Sequence, residues 1–149
     1  MVTSSGQEDL RLGAVTAERH LFLAMPAALT AAAEVRALLG AWLTTHGWPP
    51  EAQEDLVLAV NEAVSNSVEH GYGMRPGVAG RAGPVEVAAE RLGDRCMEVT
   101  VRDHGGWRPA PPLRDHRRHG IPIMKACSAE CLIDGTPSGT TVVLRSHPA

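Results

Sequence analysis

At 149 residues the chain has room for one domain, and 44% hydrophobic against 21% charged residues marks a folded globular protein rather than a disordered one. A formal net charge of −3 excludes a dedicated nucleic-acid binder, which needs a basic face against phosphates. Cys96, Cys127 and Cys131 lack Cys-x-x-Cys spacing, the N-terminus is unlike a signal peptide, and every apolar stretch stops short of the ~18 residues of a membrane span, so a cytoplasmic location is expected.

Residues 1–17 show no strong period and are expected to be a flexible lead-in to a single domain over 18–149. The apolar run 19–25, stopped by Pro26, predicts a first strand. From 27 to 46, Leu29, Ala33, Val35, Leu38, Leu39, Trp42 and Leu43 recur near a 3.6 period and predict a helix, ended by Gly47-Trp48-Pro49-Pro50. A second helix is expected over 50–70, with Glu51, Glu54 and Asp55 complementing its dipole. After a Gly/Pro-rich loop to residue 84, 85–91 and 97–102 read as a hairpin around Leu92-Gly93-Asp94-Arg95. Pro109, Pro111 and Pro112, with Gly105 and Gly106, make 104–119 a long loop, and long loops in compact domains are commonly functional. A short helix over 121–127 and two strands near 130–134 and 140–145 complete the chain.

Four segments carry chemistry. The chain has two asparagines, Asn61 and Asn66, both on the second expected helix. Glu62 and Asn66 are four residues apart, which stacks a carboxylate and a carboxamide on one side of the helix. The first suits a general base, the second a hard ligand for Mg²⁺ carrying phosphates, although a solvated polar face has the same pattern. Val99-Thr100-Val101-Arg102-Asp103-His104-Gly105-Gly106 is a strand ending in an acid and two glycines. Its carboxylate can accept from an exocyclic amine while the glycines admit a planar ligand, and a plain turn fits equally well. The run Arg117-Arg118-His119-Gly120-Ile121 leads through glycine into a helix start, where free N–H groups favour phosphate. Gly139-Thr140-Thr141-Val142 opens the last strand with two hydroxyls. Zinc at His116 and His119 with Cys127 and Cys131 is disfavoured by the absence of tight paired knuckles, and a nucleic-acid patch at Arg114, Arg117 and Arg118 by the absence of interleaved aromatics.

In this order the segments resemble the nucleotide-binding boxes of the Bergerat-fold ATPases, the superfamily of gyrase and of histidine-kinase catalytic domains. The likeness is greatest to bacterial anti-sigma factors that are also serine protein kinases. Glu62-Ala63-Val64-Ser65-Asn66-Ser67-Val68-Glu69-His70-Gly71-Tyr72 looks like that family's N-box, and the resemblance runs from about 21 to 145. It implies an α/β (α+β) two-layer sandwich, with a mostly antiparallel mixed sheet and helices on one face. It implies Glu62 as general base, Asn66 as Mg²⁺ ligand and Asp103 as the adenine-binding acid. Ser67, His70, Gly71, Gly105, Gly106, Arg118, Gly120, Ile121 and Thr140 would complete the ATP site.

Three departures from the family pattern stand out: Trp107 occupies the fifth position of Asp-x-Gly-x-Gly, Arg118-His119-Gly120 stands where the lid ends in Gly-x-Gly, and Pro122 removes an N–H from the helix start. By resemblance the protein is an ATP- and Mg²⁺-dependent anti-sigma regulatory factor that phosphorylates a serine of a STAS-domain anti-sigma-factor antagonist and sequesters a sigma factor, and a homodimer is compatible with this. The alternative is a non-catalytic ATP-binding module that grips a sigma factor or another regulator. A sensor histidine kinase is disfavoured, since no phosphoacceptor dimerisation region fits the N-terminal residues.

Overall fold

The computed structural model describes residues 14–17, 19–105 and 120–149. Strands β1 (Ala14–Ala17), β2 (His20–Pro26), β3 (Pro84–Leu92), β4 (Cys96–Asp103), β5 (Glu130–Thr136) and β6 (Gly139–Arg145) form one sheet in the order β1-β2-β3-β4-β6-β5. All its ladders are antiparallel. Helices α1 (Ala31–Thr45), α2 (Pro50–Asn66) and α3 (Gly120–Ala126) accompany it, and a π-helical turn, Ser67–Gly71, extends α2.

Alternation decides which face of the sheet is covered. Leu21, Leu23 and Met25 of β2, Val85, Val87 and Ala89 of β3, Met97, Val99 and Val101 of β4, and Val142 and Leu144 of β6 are all buried at every second position. They meet Val35, Leu39 and Leu43 of α1 and Leu56, Val60 and Val64 of α2 in one core, so the helices lie on one face as a second layer. With few aromatics available, branched aliphatic residues fill this core; Trp42, Trp48 and Tyr72 are the aromatic members.

The stretch expected as a lead-in contains β1. Ala-Val-Thr-Ala has too little alternation to announce a strand, and it is the free edge of β2, pairing Ala14 with Leu23 through Ala17 with His20, that supplies its hydrogen bonds. Helix α1 starts at Ala31, later than the apolar period suggested, and stops before Gly47, whose φ of 67° takes the chain out of the helix. The β3–β4 hairpin turns through Gly93 at φ 65°, as its sequence implied. Most of the expected long loop, 106–119, lies outside the described residues. Among those described, no helix is long and apolar enough to cross a membrane.

Because Leu56 is fully enclosed between α2 and the core, Leu56→Ala should cost about 2–5 kcal/mol, whereas Leu58→Ala, at a side chain 43% exposed on the same helix, should stay within ~0.5 kcal/mol. Urea unfolding checks both; equal shifts in the midpoint would contradict the assigned helix face.

Candidate nucleotide site

The same alternation that buries Met97, Val99 and Val101 puts Asp103 on the core face at the end of β4. A carboxyl group, 1% exposed, therefore stands where the pattern demands an apolar side chain. On the adjacent β6 the same thing happens: Thr140 shares its face with Val142 and Leu144 and pairs in register with Asp103. Two polar side chains thus occupy neighbouring core positions at one end of the central strands.

Backbone groups satisfy only part of them. Asp103 Oδ1 accepts from the N–H of Gly105 at 3.1 Å and of Thr140 at 3.2 Å. Asp103 Oδ2 and Thr140 Oγ1 are buried, and among the described residues neither has a partner of hydrogen-bond geometry. Each such atom costs on the order of 1–3 kcal/mol when nothing satisfies it. Burial raises the pKa of Asp103 above its ordinary value, opposed by the nearby Ser67 hydroxyl, by the two backbone N–H groups and by the charge of His104.

Glycine makes the approach to this carboxyl possible. A Cβ on Gly71 would lie 2.9 Å from the carboxyl carbon and both carboxyl oxygens of Asp103. A Cβ on Gly105 would collide with the Gly71 carbonyl, and one on Gly139 with the Asp103 carbonyl. Gly71 reaches this position through the π-helical turn, closed by the Tyr72 N–H donating to Ser67 O at 3.0 Å. Single π turns inside helices often sit at functional sites, because they re-aim the residues that follow.

Two features escaped the sequence reading. The π turn leaves no composition signal. Tyr72, the one tyrosine of the chain, is buried; its hydroxyl donates to Pro84 O at 2.6 Å and accepts from the His104 N–H at 2.9 Å. It thereby ties the start of β3 to the residue after Asp103. Burial raises its pKa, so the donor proton is held. His104 itself points away to Glu86, with Nε2 and Oε1 3.0 Å apart.

The other expected site residues fall as follows. Ser67 is buried with its hydroxyl near the Asp103 carboxyl, while Glu62, Asn66 and His70 are half-buried along α2 and the π turn. Asn61 Nδ2 donates to Glu62 Oε2 at 3.2 Å, and Arg36 Nη1 of α1 donates to Asn61 Oδ1 at 2.5 Å. Gly120 starts α3, and Ile121 beside it is 42% exposed. Gly106 and Arg118 lie outside the described residues, as do His116 and His119 of the zinc alternative. Among the described residues no three His, Cys, Asp or Glu side chains are grouped to hold a metal ion.

An antiparallel sheet under a helical layer, with a partly unsatisfied carboxyl and a glycine cradle at one end, has the makings of an adenine-nucleotide site. The chain belongs to the family of histidine kinase-like ATPase domains, which it matches over residues 25–146, and ATP binding goes with that membership. Its fold is similar to a structure of the RsbU and RsbW domains of Rv1364c from Mycobacterium tuberculosis, at 31% identity and a TM-score of 0.67, over 87% of this chain and 33% of that one. The chain thus spans about a third of that relative's length. It is also similar to a structure of the SiaB-SiaC complex from Pseudomonas aeruginosa, at 14% identity and a TM-score of 0.58, over 98% of this chain and 97% of that one, a likeness of fold.

The raised pKa of Asp103 makes a signed prediction. A group whose folded pKa lies above its ordinary 3.8 contributes stability that is fully present below that pH and is lost as pH rises through the folded value. Asp103→Asn removes this loss, so without nucleotide the variant should be no less stable than wild type near about pH 4 and more stable near about pH 7. Urea titrations across that range check it; a stability difference that does not vary with pH would contradict the burial argument.

Proposed function

We propose that this chain is an ATP-dependent anti-sigma regulatory factor acting in the cytoplasm, a serine protein kinase whose acceptor is a STAS-domain antagonist and whose sequestered partner is a sigma factor. The observation that carries the reading is the buried Asp103 carboxyl, whose Oδ2 has no hydrogen-bond partner among the described residues, packed against Gly71 just past the helix that bears Glu62 and Asn66. The likeness to a chain with an RsbW domain supports the same class.

The chemistry follows from the placement. Among the described residues nothing donates to Asp103 Oδ2, an acceptor to which the exocyclic amine of adenine is suited, and Thr140 Oγ1 lies beside it on the next strand. Gly71 and Gly105 let the backbone after the π turn pack directly against the Asp103 carboxyl and the end of β4. From Gly71 back to Glu62 is nine residues of helical chain, on the order of 13 Å along the axis, so base recognition and proton transfer are assigned to two separate points of one helical stretch. Asn66 lies one turn from Glu62, and its carboxamide oxygen suits Mg²⁺, which typically takes one or two protein oxygens with phosphates and water. That ion, when bound, neutralises charge on the transferring phosphoryl group. Ser67 and His70 border the same stretch; Gly106 is assigned with Gly105 to the base, and Gly120, Ile121 and Arg118 to the phosphates, by resemblance.

In the transfer itself Glu62 takes the proton of the acceptor serine as the serine oxygen bonds to the γ-phosphorus. The bond from that phosphorus to the bridging β-phosphate oxygen breaks, and ADP leaves with the electron pair. Pro122, in the first turn of α3, offers no N–H to the phosphates, and this favours the second reading, a binder that grips its partner without turnover.

Glu62→Gln separates the two. The amide keeps the shape and removes the proton acceptor, so ATP affinity should stay within about twofold while transfer to the STAS protein falls by ~10²–10⁴. Calorimetry and a phosphorylation assay with Mg²⁺ and radiolabelled ATP check both. Equal turnover by wild type and variant would remove Glu62 as base. A wild type that binds a sigma factor only with ATP yet phosphorylates no STAS protein would establish the binder.

A further inference from the structure

We propose that Arg36 and Asn61 are positioning residues for the Glu62 carboxylate, an inference that rests on the kinase reading. Arg36 lies on α1 and Asn61 on α2, immediately before Glu62. Arg36 Nη1 donates to Asn61 Oδ1 at 2.5 Å, and Asn61 Nδ2 donates to Glu62 Oε2 at 3.2 Å. The guanidinium of one helix is thus connected to the carboxylate of the next through a single carboxamide.

The chain has a direction fixed by chemistry. A carboxamide has one oxygen and one NH₂ group. With its oxygen held by an arginine, which donates and never accepts, the NH₂ group is the end left to face the carboxylate. Flipped, the amide would set its NH₂ against a cation and its oxygen against an anion, so the charges at both ends select one orientation. Neighbouring residues of a helix do not ordinarily face each other, because their side chains leave the axis about 100° apart. The Asn61–Glu62 contact therefore needs something to hold Asn61 over, and Arg36 does so from outside the helix.

The benefit is orientation of a base that is only half-buried. A carboxylate base must point at the incoming hydroxyl, and one that is off by about 1 Å can lose up to ~10²-fold in rate. Asn61 holds Oε2 and so sets the plane of the carboxylate. Arg36 and Asn61 also join α1 to α2, and the decisive readout is one that such a staple alone would not move.

The test uses the full chain with Mg-ATP and the serine acceptor. Asn61→Leu and Arg36→Gln are each expected to lower kcat about tenfold while KM for ATP stays within about twofold, and Arg36→Lys, which keeps a cationic donor, to recover most of the loss. Because the residues act in series, the double variant should be no worse than Asn61→Leu, and neither change should reduce the residual rate of Glu62→Gln further. An unchanged kcat, or the same tenfold loss in the Glu62→Gln background, overturns the proposal.

A second measurement does not depend on turnover. The side-chain amide signal of Asn61, one of two asparagines in the chain, should shift in the NMR spectrum in both Arg36→Gln and Glu62→Gln. A signal that ignores either substitution overturns the proposal. If the signal responds to both while the wild type phosphorylates no acceptor, the three-residue chain stands and the kinase reading is what fails.

Discussion

A carboxyl group on the core face of a central strand is the constraint around which the rest of this structure is arranged. Asp103 sits in phase with Met97, Val99 and Val101, so nothing about β4 turns it outward. Burial disfavours its charge, two backbone N–H groups satisfy Oδ1, and Oδ2 has no hydrogen-bond partner among the described residues. Such a group weakens the empty fold slightly and strengthens binding by the donor that completes it. Local rules of folding are commonly broken in this way at functional sites.

The surroundings keep that arrangement from collapsing. Gly71 lies close enough to the carboxyl that any side chain there would fill the space, and it gets there because α2 ends in a π turn instead of running on as an α-helix. Tyr72 then bridges Pro84 and His104, fixing the ends of two paired strands on either side of the site. In the last turns of α2, just before the π turn, Glu62 and Asn66 are carried by a helix whose opposite face, Leu56, Val60 and Val64, is locked into the core. One helical element therefore carries both Gly71, packed against the Asp103 carboxyl, and the side chains proposed to act at the phosphates.

Much of this is legible in the sequence, for reasons that differ between elements. The strands announce themselves by period-2 burial, and the Gly47 and Gly93 turns by residues that alone tolerate positive φ. Asp103 is legible because an acid falls in phase with three apolar residues, and Glu62 with Asn66 because a spacing of four means one helical face. What escapes depends on partners distant in the chain. Strand β1 exists by virtue of the edge of β2, the π turn by the way Ser67 to Gly71 pack against β4 and β6, and the Arg36–Asn61 contact by the packing of α1 on α2. Tyr72 is conspicuous as the single tyrosine, yet its two hydrogen bonds span 12 and 32 residues, and no local pattern encodes them.

The central claim is that Asp103 Oδ2 reads the exocyclic amine of adenine. Its most direct test is calorimetric affinity for ATP against inosine triphosphate, whose base carries an oxygen where adenine carries the amine, in wild type and in Asp103→Asn. Losing a hydrogen bond to a charged group costs about 1.5–3 kcal/mol, so wild type should prefer ATP by roughly ten- to a hundredfold. In Asp103→Asn, whose amide can turn either an oxygen or an NH₂ toward the base, that preference should largely disappear. Equal affinities in the wild type, or a preference that survives the substitution intact, would contradict the assignment.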